Sequence, residues 1–133
     1  ACMKAIRVAL VSVAIFQALS TLIGFVQLLI VPQWFAAALE GTPFAGQFVV
    51  AALLLGVVVG GVQWAAIGVH RRAPQWQPLA HSVAGVVMIG WIFGECLVMD
   101  SFVWAHALWG GMGVVQLVLV LLLLGVARPH PIG

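Results

Sequence analysis

The chain has 133 residues, 65% of them hydrophobic and only 6% charged, with a formal net charge of +2. Soluble domains carry about a quarter charged residues, so this composition cannot dress a water-facing surface and excludes an ordinary soluble fold. It also excludes nucleic acid as a partner despite a pI near 9.0. The five Lys and Arg residues sit at segment ends and form no binding patch. Residues 1–133 read as a single transmembrane domain. Cys2 and Cys96 are expected on opposite sides and form no disulfide framework.

Span one is predicted over about 5–31. A helix needs about 20 apolar residues to cross the hydrocarbon core, and this run exceeds that. No small-residue cleavage site follows it, so it reads as a span and not as a signal peptide. Gln17, Ser20, Thr21, Gly24 and Gln27 recur at i, i+3, i+4, i+7 and i+10, which is one helical face. In lipid such a face is expected to point into protein, where its amides find partners. Pro32 ends the span. The loop over 32–47 is predicted to carry a short interfacial helix bearing Trp34, Phe35, Ala38 and Leu39, broken by Gly41-Thr42-Pro43. Trp34 is expected at headgroup level.

Span two is predicted over about 48–69. Ala52, Gly56, Gly60 and Gln63 share a face, and Gly56 with Gly60 makes a GxxxG pair that lets backbones approach closely. Packing within the chain is the plain reading, and dimerisation is the sharper one. The polar turn from His70 to Pro78 holds Arg71, Arg72 and Trp76, which read as lipid headgroup contacts. Span three is predicted over about 79–99, with His81, Ala84, Met88, Trp91 and Glu95 on one stripe. His81 is expected at the basic end as an interfacial residue. Span four is predicted over about 102–127, with His106, Trp109, Gly110, Gly113 and Gln116 on its polar and small face. Gly110 and Gly113 are expected to pack against a neighbouring helix. From Leu117 to Leu124 the helix is apolar all round and is expected to meet lipid.

Four spans put Lys4, Arg7, Arg71, Arg72 and Arg128 on one side and Glu40 and Asp100 on the other. The positive-inside rule then places both termini in the cytoplasm.

The sharpest chemical feature is Glu95 with His106, placed symmetrically about a turn at Asp100–Ser101. A tight helical hairpin brings the two to one depth, and an ionisable residue inside a membrane is a functional hypothesis by default. The candidate polar or ion site comprises Glu95, His106, Gln27 and Asp100, with Gln47 at the same level. The plain reading is a structural hydrogen bond that fixes the hairpin. The sharper reading is a proton or cation site with Glu95 as acceptor and His106 as relay. Metal binding by Glu95, Cys96 and His106 is weaker, because adjacent helical residues point about 100° apart. Axial ligation of a haem or chlorin by His106, beside Trp104 and Trp109, is permitted and not indicated. The sequence contains no HEXXH, no CxxC, no phosphate-binding loop and no nucleophile–base constellation. It therefore points away from an enzyme acting alone.

The run Glu40-Gly41-Thr42-Pro43-Phe44, the segment from Gly56 to Gln63, and Trp91-Ile92-Phe93 with Trp104 resemble a group of small four-helix bacterial membrane proteins. That group is loosely DoxX-like, and DoxX-like proteins are associated with respiratory or redox complexes. The resemblance implies an all-α, four-helix transmembrane bundle in a bacterial inner membrane. It implies no catalytic residues, and Glu95 and His106 stand outside its shared pattern. The expected function is a non-catalytic accessory subunit of a larger membrane complex, of electron-transfer or photosynthetic type, with lipids and other membrane subunits as partners. The alternatives are a small ion- or proton-coupled transport protein using Glu95 and His106, or a cofactor-bearing redox or pigment protein through His106.

Overall fold

The computed structural model of the chain describes residues 2–99 and 103–125. Asp100, Ser101, Phe102 and the tail with Arg128 and His130 lie outside the described residues. The described residues are helical with short turns and contain no strand. Four helices are long and apolar enough to cross a membrane: Met3–Ile30, Phe48–Arg72, Pro74–Met99 and Trp104–Leu124.

The first, α1, runs over Cys2–Ile30. It stops at Pro32, whose ring cannot donate to the helical ladder and instead opens a 3₁₀ turn, Pro32–Trp34. The expected interfacial helix is two short pieces, this turn and a four-residue α2, Ala36–Leu39, separated at Phe35. Gly41 at φ 79° then turns the chain, in a left-handed conformation that glycine adopts without steric cost. Thr42 locks the turn: its hydroxyl donates to the Leu39 carbonyl at 2.6 Å and accepts the Phe44 N–H at 3.1 Å. Phe35 and Phe44 fold back onto a core of Leu28, Ala51 and Ala52, while Trp34 stays 66% exposed.

The second long helix is not uniform. It starts as α3, Phe48–Leu53, passes through a π-helical stretch, Leu54–Val59, and continues as α4, Gly60–Arg72. The helix therefore extends past 69, and His70, Arg71 and Arg72 form its last turn. Cations there complement the negative end of the helix dipole. A 3₁₀ turn, Pro74–Trp76, leads into α5, Gln77–Met99. The last helix, α6, covers Trp104–Leu124 and ends on Gly125.

Small residues set how these helices pack. A Cβ on Gly56 would lie 2.6 Å from Phe25, and one on Gly60 would lie 2.7 Å from the Thr21 hydroxyl. The GxxxG pair is thus occupied by α1 of the same chain. A Cβ on Gly113 would lie 3.2 Å from the Gly85 carbonyl, and one on Gly110 would meet Ile92 at 3.2 Å. These contacts make α1 with α4, and α5 with α6, antiparallel neighbours, and α1 also packs on α6 and α4 on α5. Towards the basic end the interior is closed by Ile6, Leu10, Val120 and Leu123. Further in, Ala14, Ala66 and Ala84 bring three helices together.

Candidate functional site

Polar side chains meet inside the helices at three levels. At the basic end, Arg7 donates to the Gln77 side-chain oxygen and to the Pro74 carbonyl, the latter at 3.3 Å. The fully buried Gln77 amide donates in turn to His70 Nδ1. One cation and one amide thereby tie α1, α4 and α5.

The middle level is a cluster of amides around one imidazole. Gln63 and Gln116 exchange a reciprocal amide pair, 3.2 and 3.1 Å, and both are fully buried. Gln63 also donates to the Ala84 carbonyl at 3.3 Å, and Gln116 to His81 Nδ1 at 3.0 Å. His81 is fully buried, a correction to its expected interfacial place. Gln17 is buried on α1 between Ala14 and Thr21, which pack on Ala66 and near Gly60 of α4. That register sets Gln17 opposite Gln63, so each long helix gives one polar residue to this layer. Both polar atoms of Gln17, and His81 Nε2, have no hydrogen-bond partner among the described residues. The polar face of each helix was visible in the sequence, but the lateral pairing between helices was not.

The third level is the Glu95–His106 pair. His106 Nε2 lies 3.2 Å from Glu95 Oε2. His106 sits in the first turn of α6, where helical N–H groups lack intrahelical partners. Its Nδ1 accepts the Val103 N–H at 3.2 Å, closing the helix N-terminus. An accepting Nδ1 carries no proton, so Nε2 holds the hydrogen and donates it to the carboxyl group. The pair is asymmetric in exposure: the His106 side chain is 4% exposed and that of Glu95 32%.

Glu95 reaches open space where two cavities meet. One, of about 450 Å³, is lined by Thr21, Gln27, Trp91, His106 and Trp109 among others. The other, of about 340 Å³, is nearly all apolar, with Leu28, Phe35, Phe44, Val98 and Met99 on its wall. Glu95, Trp91, Phe35, Leu55 and Met99 border both. Leu55 belongs to the π-helical stretch, so the irregular part of the second helix forms cavity wall. Trp109 stacks on Phe16 at 6.5 Å and tilts against Trp104 at 6.1 Å.

Of the residues expected at the polar site, Glu95, His106 and Gln27 share the larger cavity, Gln47 lines neither, and Asp100 lies outside the described residues. Trp34, Arg71, Arg72 and Trp76 are exposed at helix ends. Among the described residues no three His, Cys, Asp or Glu side chains come within reach of one metal ion. Axial ligation through His106 is disfavoured, because both ring nitrogens already hold partners within the chain. No family model, curated protein or solved structure matches the chain.

Proposed function

We propose that the chain is a four-span integral membrane protein of ion- or proton-coupled type, with Glu95 as the group that takes up the proton or cation. In this reading both termini and the basic residues lie on the cytoplasmic side of a bacterial inner membrane. The Glu95 cavities open towards the other side. The exposed tryptophans Trp34, Trp76 and Trp104 at helix ends support such a placement, since indoles favour the membrane–water interface. The observation that carries the functional reading is the exposure of a carboxylate to two cavities while its histidine partner is buried. A purely structural pair has no need of that opening.

His106 acts here as a positioning residue, not as the relay first expected. Its hydrogen bond from Val103 keeps Nδ1 occupied and aims Nε2 at the carboxylate. The site is one-sided. From His106 to Gln116 is ten residues of α6, about 15 Å along the axis, and Met88 and the Ala14–Ala66–Ala84 contact fill the interior towards the basic end. Transport therefore needs a second conformation. The π-helical stretch at the cavity wall is suited to it, since such segments recur at functional sites as local departures from regular helix. Reconstitution into vesicles holding a pH-sensitive dye tests this. Wild-type flux that falls to the protein-free background in Glu95→Gln supports it, and equal flux in the two proteins refutes it.

The accessory-subunit reading stands second. It is favoured by the three interhelical ties, in which most interior polar groups serve to hold the helices together. Co-elution of the solubilised chain with larger membrane subunits would support it.

A further inference from the structure

We infer that the Glu95 cavities take a lipophilic organic cation, an amine or quaternary ammonium whose charged head meets Glu95 and whose apolar body fills the smaller cavity. The inference rests on the reading of Glu95 as an ion site and names its substrate class.

Charge decides first. Among the described residues, Glu95 and His106 are the titratable ones lining either cavity, and no Lys or Arg lines them. With Nδ1 accepting the Val103 N–H, His106 is the neutral tautomer that donates from Nε2, and it brings no compensating positive charge. An ionised Glu95 is thus an uncompensated negative charge among the described lining residues, which a monovalent cation complements.

Coordination decides next. A bare metal ion needs several oxygen ligands to replace its water. Here the Thr21 and Ser20 hydroxyls donate to the backbone carbonyls of Ala18 and Phe16, at 2.8 and 2.7 Å, and offer one oxygen each. With the Gln27 amide and the Glu95 carboxylate, one of whose oxygens already accepts from His106, they are the side-chain oxygens on the wall among the described residues, fewer than the roughly six to eight a hard metal ion takes. An organic cation spreads its charge, leaves water at lower cost, and needs no such shell.

The walls supply what such a cation does need. Trp91 borders both cavities beside the carboxylate, and an indole attracts cations through its quadrupole. The adjoining cavity of about 340 Å³ is apolar apart from Glu95 and suits a hydrocarbon or aromatic body.

The test is equilibrium binding to the purified full chain in detergent, read by quenching of tryptophan fluorescence. The probes are phenyltrimethylammonium and its neutral isostere tert-butylbenzene. The cation is expected to bind at least about tenfold tighter than the isostere, and Glu95→Gln to remove that preference. The comparison of the two probes on wild-type protein keeps the test valid even if the variant misfolds. Equal binding of cation and isostere, or no binding of the cation, overturns the inference. Absence of cation preference in the wild-type protein with intact Glu95-dependent proton flux removes this substrate class alone. Cation binding without any flux refutes the transport reading and leaves the site.

Discussion

His106 does two jobs with one ring: it caps α6 through Nδ1 and holds Glu95 through Nε2. The two variants should therefore separate. Glu95→Gln keeps an oxygen that accepts from Nε2, so stability in detergent should change by less than about 1 kcal/mol while proton flux is lost. His106→Ala removes the side chain that accepts the N-cap Val103 N–H and leaves the carboxyl without its donor, and should cost about 1–2 kcal/mol. Denaturation in mixed micelles measures both, and equal losses for the two would contradict the assigned roles. The middle layer gives a second residue-scale expectation. Gln116→Leu strands Gln63 Oε1 and His81 Nδ1, while Gln63 Nε2 keeps the Ala84 carbonyl. Interhelical hydrogen bonds inside membrane proteins are worth about 0.6–2 kcal/mol, so the loss should fall in that range. The double variant Gln63→Leu/Gln116→Leu should cost less than the sum of the singles, because removing both partners leaves no orphaned amide.

At the scale of elements, glycine and alanine govern how closely the helices approach. A Cβ at Gly113 already meets Gly85 and Ile89 at 3.2 and 3.0 Å, so Gly113→Val should separate α5 from α6 and cost about 1–3 kcal/mol. Gly111 has open space around its would-be Cβ, and Gly111→Val should be close to neutral. Thermal unfolding of the pair distinguishes them. The four long helices were legible in the sequence because apolar runs of the needed length have few other outlets, and Pro32 and Gly41 fixed the breaks between the first two. The Glu95–His106 contact was legible because a short hairpin sets register by symmetry about its turn. Two features were not. The π-helical stretch Leu54–Val59 has no signature in Leu-Leu-Gly-Val-Val-Val, whose hydropathy suits an α-helix equally. The burial of His81 depends on the lateral order of helices, which periodicity along one helix cannot supply. Arg71 and Arg72, earlier in the chain, suggest a place near the surface, whereas Gln116 of α6 donates to the ring in the interior.

Across the whole molecule, the described Lys and Arg residues gather at one end and the Glu95 cavities lie towards the other. The basic end is closed by an apolar cluster, and the far end carries the cavities under the Phe35–Phe44 fold of the first loop. Everything proposed for Glu95 requires the chain to cross the membrane four times with these two ends on opposite faces. Single cysteines introduced at Thr42 and at Gln75, in a background without Cys2 and Cys96, test that directly in intact cells with a membrane-impermeant maleimide. The account predicts labelling of Thr42→Cys from outside and of Gln75→Cys only after the membrane is breached. Labelling of both positions from the same side would contradict it.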